Sequence, residues 1–407
     1  MKFNKWTVAL AAAGLVSLTY ATQAEEAKNQ VLTALSSTTL SGYVDTSAIW
    51  EIGTGGSKGD NLRAYDGVDK KDGFNLNVVK LSLEKPLDEG QWAAGYKVDM
   101  LFGPDAKRFE ELNNDLASND FAIQQAYVNL RVPVQNGIDF KMGVFDSILG
   151  AEKFDSYANP NYSRSFGYLI EPFQHTGLLA SYQCAEWLSL NAGVANTYKS
   201  PINGRGSYGY IPAPGTTTNA PVAESVKTYM GSVTFIAPES MGFLKGSTLT
   251  AGAINGFEEN STEGKYTGVY VGGSMNTPVE GLSIGGSWDY RRIDNQRIQQ
   301  GIAAAYAVAG YAKYQATEKL SFANRFEYAN GAPGTWLEDN YPIREKLLAD
   351  TFTIDYSLWA NVVTRAEFRW DHYAGGVQNN YPFSVDSTAD TGDKNAYSLA
   401  LNVIYKF

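Results

Sequence analysis

Apolar and polar residues alternate with a period of two from about residue 39 to the C-terminus. Ala360, Val362, Thr364, Ala366, Phe368 and Trp370 fall on one face of a segment whose other face carries Asn361, Val363, Arg365, Glu367, Arg369 and Asp371. A period of two is the mark of a β-strand with unlike surroundings on its two sides. Leu282, Ile284, Gly286, Trp288 and Tyr290 oppose Ser283, Gly285, Ser287, Asp289 and Arg291 in the same way, and Trp92, Ala94, Tyr96, Val98 and Met100 oppose Ala93, Gly95, Lys97 and Asp99. The pattern predicts about sixteen strands, near 39–50, 74–84, 91–101, 121–132, 138–146, 176–184, 187–197, 226–236, 247–256, 265–276, 282–292, 302–315, 319–329, 346–356, 359–371 and 395–407.

The connections alternate in length. Long segments near 53–73, 102–120, 147–175, 198–225, 257–264, 293–301, 330–345 and 372–394 are interleaved with short ones such as 85–90, 133–137, 185–186, 277–281 and 316–318; only 237–246 on the short side is not tight. Hairpins of one kind then lie at one end of a cylinder, as in a transmembrane antiparallel up-and-down β-barrel with short periplasmic turns and long extracellular loops. An arginine facing lipid near the bilayer middle costs about 2–4 kcal/mol, so the face with Arg365 and Arg369 must look inward. Aromatic residues near strand ends, Trp288, Tyr290, Phe326, Tyr328, Phe368 and Trp370 at one rim and Trp92 and Tyr405 at the other, predict an interfacial girdle. Alternation runs to the final Phe407. A last strand ending in Phe is expected to serve as the membrane-insertion signal read by barrel-assembly machinery, and its pairing with the first strand would remove both sheet edges.

The N-terminus changes the picture of where this happens. Met-Lys-Phe-Asn-Lys precedes an apolar run from Trp6 to Ala21, with small residues at Thr22 and Ala24. This predicts a Sec-type signal peptide over 1–24, cut after Ala24, and a single outer-membrane barrel domain over 25–407 in a Gram-negative-type bacterium. Elsewhere no apolar run approaches the roughly 20 residues of a membrane-crossing helix, yet 26 Tyr, 8 Trp and 40 Gly accompany a mean hydropathy of −0.27. That balance suits strands with lipid on one side and water on the other. Cys184 is the single cysteine, which excludes an internal disulfide and is read as a small apolar residue. A net charge of −10 argues against a nucleic-acid partner. The partners expected are outer-membrane lipid and small polar solutes, with a homo-oligomer left open.

Three short motifs occur in order: Gly143-Val-Phe-Asp-Ser-Ile-Leu-Gly-Ala-Glu152, Asn159-Pro-Asn-Tyr-Ser-Arg-Ser-Phe166 and Glu171-Pro-Phe-Gln-His-Thr-Gly177. In these the chain resembles the Putative beta-barrel porin-2 family, the OmpL-like group, and by strand pattern the resemblance extends over nearly all of the mature chain. It implies a porin-like barrel and says less about any substrate.

Sixteen strands enclose a lumen that side chains do not fill, whereas about eight would be filled. The expected role is therefore an aqueous channel for passive diffusion of small polar solutes, carbohydrates or ions. By alternation its lining carries Lys80, Glu84, Lys97, Asp99, Arg131, Asp139, Lys141, Asp289, Arg291, Arg325, Glu327, Arg365, Glu367 and Arg369. Arg291, Arg325, Arg365 and Arg369 suggest a basic wall. The segment 147–175 is expected to bend inward as a constriction, with Asp146, Glu152, Asp155 and Glu171 opposing that wall and Arg164 among them.

A surface hydrolase is one alternative, for which His175 and His372, each near a strand end, are the sole candidate bases. An adhesive or structural barrel is another, with Tyr157, Tyr162, Phe166, Tyr208 and Tyr210 supplying sticky loops. The Asp/Asn/Gly stretches 53–73 and 386–395 lack the ordered ligand spacing of a calcium loop, so no metal site and no cofactor is expected. Pro104 and the spacing of Phe109, Leu112 and Leu116 predict a short helix over 104–116.

Overall fold

Residues whose sequence alternates most strictly form strands that pair only with their neighbours in the chain, and the last closes on the first. The structure is a computed structural model; it describes residues 37–52, 70, 72–110, 120–199, 202–206, 226–258, 265–294, 302–337, 344–376, 383 and 393–407. The sixteen strands are β1 (Thr39–Ile52), β2 (Gly73–Lys85), β3 (Ala93–Phe102), β4 (Phe121–Val132), β5 (Ile138–Asp146), β6 (Gln174–Ala185), β7 (Leu188–Ala195), β8 (Thr228–Ile236), β9 (Thr248–Phe257), β10 (Lys265–Asn276), β11 (Leu282–Asp294), β12 (Ile302–Gln315), β13 (Leu320–Gly331), β14 (Glu345–Tyr356), β15 (Val362–Tyr373) and β16 (Asn395–Lys406). They form one closed antiparallel barrel. Closure runs from Tyr43 opposite Lys406 to Ile52 opposite Tyr397.

The seam is sealed to the last residue, because Gly42 and Phe407 exchange both backbone hydrogen bonds at 3.0 Å. Gly42 permits this: a Cβ there would lie 2.8 Å from Cζ of the Phe407 ring and closer still to the Lys80 carbonyl. Side chains sort by parity as the cost of charge in lipid demands. Phe368 is 42% exposed on the outer face while Arg369 is 1% exposed on the inner, and Leu401 at 44% alternates with Asn402 at 1%. Outer aromatics stack along and across strands, as in Trp288 with Tyr290 and Phe368 with Tyr397. The indole of Trp370 donates to Asn395 Oδ1 at 2.9 Å.

Three elements depart from the pattern. β15 begins at Val362 rather than near 359, because Trp359–Asn361 makes the short turn, with Asn361 at φ 64° and Val362 N donating to the Trp359 carbonyl at 3.1 Å; Ala360 therefore lies outside the strand. The connection 237–246 contains a 3-10 segment, Glu239–Leu244. In place of one helix over 104–116 there is a 3-10 turn, Pro104–Ala106, followed by α1 (Lys107–Glu110), and 111–116 lies outside the described residues. The signal segment 1–24, Tyr208, Tyr210, residues 53–69, residue 71 and residues 386–392 also lie outside them. Among the described residues no helix is long and apolar enough to cross a membrane.

The barrel interior is packed where alternation alone would predict water. Inward-facing alanines on β12, β13, β14 and β16, among them Ala305, Ala307, Ala329, Ala349 and Ala396, leave a recess that receives Phe166, Ile170 and Trp336. A second cluster joins Leu149 to Phe145, Tyr198, Ile254, Tyr266 and Tyr270, and a third joins Phe154 to Leu101, Phe109 and Tyr43. Each cluster contains residues of the β5–β6 connection, which thus occupies the centre of the barrel.

Candidate functional site

The connection between β5 and β6, residues 147–173, runs inside the cylinder with little regular structure: a 3-10 turn at Ser156–Ala158 and the single-turn helix α2 (Phe166–Ile170). An irregular chain in such a place must find partners for its backbone polar groups. It finds some of them within itself. Arg164, 1% exposed, donates through Nε to the Lys153 carbonyl at 2.9 Å, through Nη2 to that of Phe154 at 2.6 Å, and through Nη1 to that of Tyr162. It therefore holds the loop in shape and does not present a free charge to the lumen, contrary to the expectation from sequence.

The wall supplies the rest. Glu367 of β15 accepts from the amides of Tyr162 at 2.6 Å and Ser163 at 2.9 Å and from Thr353 at 2.7 Å. Glu327 of β13 accepts from the Phe166 amide at 2.7 Å, at the start of α2, where a carboxylate meets donors that the helix leaves unpaired. Arg325 bridges the two partners: its Nε lies 2.8 Å from Glu327, and its Nη1 lies 2.9 Å from Glu152 of the loop and donates to the Ser163 carbonyl at 2.7 Å. Glu152 also accepts from the Ser165 amide at 2.8 Å. Arg369 donates to the Arg164 carbonyl at 2.7 Å and pairs with Asp371 at 2.9 Å; Arg365 donates to the Ser156 carbonyl at 2.7 Å and pairs with Asp355 at 2.9 Å. On the far side of the seam Asp155 receives Lys80 at 2.9 Å and the Tyr43 hydroxyl at 3.0 Å, and Asp45 accepts from Ser156 at 2.6 Å.

The expected basic wall thus takes another form. Arg325, Arg365 and Arg369 do lie together on the inner face, but each is neutralised by a carboxylate beside it and spends its remaining donors on loop carbonyls. They clamp the loop and do not face acids across an open gap. Arg291, on β11, stands apart from them and interacts electrostatically with Tyr198. Lys80 lies 3.2 Å from Asp99, Lys97 lies 3.1 Å from Glu84, and Arg131 lies 2.7 Å from Asp139, all on the β2–β5 side, where Lys141 sits 4.9 Å from the centre of the Tyr127 ring. Asp146, the last residue of β5, accepts from Gln124 at 3.1 Å at the root of the loop. Sequence reasoning missed Asp45, Asp355 and Thr353, for which parity along their strands was the signal that could have placed them inside; Asp371, set by alternation on the face of Arg365 and Arg369, does lie inside.

At its other end the loop carries Glu171, whose buried carboxyl adjoins that of Asp289 on β11. Gly167 lets Asp289 approach, since a Cβ there would collide with Oδ2 of the aspartate. Burial and the adjoining Asp289 carboxyl push the Glu171 carboxyl well above its ordinary range; Glu152 adds to this and Lys153 opposes it. A carboxyl raised in the folded state binds its proton more tightly than in the unfolded chain, so this contact is fully stabilising at low pH and weakens as pH rises through the raised value. Protection of the amides of residues 166–173, taken relative to their intrinsic exchange rate at each pH, is therefore expected to be greatest at low pH and to fall as pH rises through that raised value. Glu171→Gln, which keeps a donor at all pH values, removes that dependence if the shared proton is its cause.

Between the loop and the opposite wall a cavity of about 280 Å³ remains, bordered by Gly150, Glu152 and Pro160 and by inward residues of β9 to β12, among them Thr250, Tyr270, Ser283, Tyr311 and Lys313. Of the two histidines, Nδ1 of buried His175 faces the Thr197 carbonyl at 3.4 Å, and Nδ1 of His372 faces Asn395 Oδ1 at 2.9 Å. No cluster of three metal-ligating side chains occurs among the described residues.

Solved outer-membrane proteins share this fold at low sequence identity. The anion-selective porin from Comamonas acidovorans matches with TM-score 0.58 and 12% identity over 91% of this chain and 99% of that one. Salmonella typhi OmpF, in complex with daunomycin, matches with TM-score 0.54 and 11% identity over 91% and 97%, and the trimer form of OmpT of Vibrio cholerae with TM-score 0.53 and 12% identity over 91% and 99%. Comparison with curated proteins gives no match. The model of one family spans residues 37–407, and the chain, a sixteen-stranded outer-membrane barrel of porin type, belongs to that family: Putative beta-barrel porin-2, OmpL-like.

Proposed function

We propose that this barrel is a general diffusion channel for small polar solutes, with the β5–β6 loop as its constriction. The observation that carries the reading is the uneven attachment of that loop. Residues 152–166 are hydrogen-bonded chiefly to β1, β2 and β13 to β15, and although Leu149, Phe166 and Glu171 reach β9 to β12, a cavity remains between the loop and those strands. A barrel of this strand number is wider than its side chains can fill, and a loop held mainly against one wall, with a cavity left along the other, narrows the lumen without sealing it. In this reading Lys97, Arg131, Lys141 and their acidic neighbours line the wider mouth, and Glu152 and Asp155 belong to the fixed edge of the constriction.

Export through the segment 1–24, insertion guided by the strand ending in Phe407, and assembly with further copies, as in the trimer form of the Vibrio protein, belong to the same proposal. Liposome swelling tests it: vesicles containing the purified protein should swell in monosaccharides and in small amino acids, and progressively more slowly as solute size increases. Vesicles that fail to swell in any of these solutes would favour the adhesive barrel instead.

A further inference from the structure

We propose that small anions cross the constriction along the β9–β12 wall and that Lys313 is the charge that receives them, an assignment that rests on the channel reading above. The two sides of the loop differ in the chemistry they leave free. On the attached side the acids are consumed: Glu152 by Arg325 and the Ser165 amide, Glu327 by Arg325 and the Phe166 amide, Glu367 by two loop amides, and Asp155 by Lys80 and Tyr43. Their lone pairs point into protein, and a passing ion meets them already compensated.

The open side is lined chiefly by neutral groups, the hydroxyls of Thr250, Ser283, Tyr270 and Tyr311 and the backbone of several glycines. Lys313 is the exception. It follows Tyr311 on the inward face of β12, is exposed, and has no carboxylate within 4 Å among the described residues. Glu152 borders the same cavity, but its carboxylate is buried against Arg325, and Tyr311 donates to it at 3.4 Å. An unpaired ammonium beside hydroxyl donors is the combination that replaces the water around an anion. The cavity, about 280 Å³, holds several waters at roughly 30 Å³ each, room for a partly hydrated inorganic anion or a short carboxylate. The formal charge of −10 belongs to the whole chain. Charges farther than about 8–10 Å are screened at physiological salt, so the group at the narrow passage decides which ion enters.

The test is the reversal potential of the full mature protein in planar bilayers under a tenfold potassium chloride gradient. The unmodified channel should prefer chloride. Lys313→Gln should lower the chloride-to-potassium permeability ratio by up to about thirtyfold, because one unit charge near 4 Å in water favours chloride and disfavours potassium by about fivefold each; Lys313→Arg should preserve it, and so should Lys319→Gln in the exposed turn after β12. A conducting channel that prefers potassium, or whose ratio is the same in Lys313→Gln, overturns the anion assignment and leaves the channel standing. A protein that inserts but conducts no ions overturns the channel and the assignment together.

Discussion

Replacing Arg325 with Met should destabilise the barrel by about 3–5 kcal/mol, the usual cost of removing one partner from a buried ion pair. The guanidinium is fully buried between Glu152 and Glu327, both also buried, and it holds Ser163 through both carbonyl and hydroxyl. Its loss strands two carboxylates that also accept from the Ser165 and Phe166 amides, so the damage should spread to the loop and to α2. Lysine at this position should recover only part of the loss, because a single ammonium cannot satisfy the fork of partners that a planar guanidinium reaches. The stranded charge can be isolated by adding Glu152→Gln and Glu327→Gln to the Met variant. If charge is the cause, the triple variant is more stable than the single one, as read from denaturant unfolding in detergent or lipid; a single variant within about 1 kcal/mol of the parent would show that the clamp carries little energy.

Deleting residues 153–164 and joining the ends with a short glycine-serine link should raise single-channel conductance about twofold or more, since the narrowest cross-section limits flow through an aqueous pore. The wall is built to survive this. Arg325 with Glu327, Arg369 with Asp371 and Arg365 with Asp355 remain paired without the loop, and water can occupy the space it leaves. The barrel should therefore still fold, in contrast to the effect of Arg325→Met, where the loop remains but a wall charge is missing. Unchanged conductance would mean that the deleted residues do not narrow the path.

Strand number, facing and closure were legible because each is enforced residue by residue. A single slip in register would put Arg365, Arg369 or Asp289 into hydrocarbon, so alternation in the sequence leaves little freedom about which side each residue takes. Height along the barrel and the partner across it are not written in that alternation. Arg325 meets Glu152 and Lys80 meets Asp155 only because the β5–β6 loop takes one path through the interior, and nothing periodic marks that path. Arg164 looked like a lumen charge for the same reason: its three carbonyl acceptors come together only when the loop folds back on itself. The recess made by Ala305, Ala307 and Ala329 was hidden in another way, because alanine on an inward face signals neither lipid nor water, and it is the bulk of Phe166 and Trp336 that gives those positions their purpose. The displaced start of β15 is turn chemistry, with Asn361 in the left-handed region, where alternation offers no cue.

A diffusion channel requires that this closed cylinder contain a continuous water path across the membrane. Current recorded across a planar bilayer after addition of the purified, unmodified protein tests this most directly. Uniform stepwise increases, each linear in voltage, are the predicted result. Incorporation verified by protease-protected strands but with a silent bilayer would contradict it, and would mean that the inserted loop plugs the barrel.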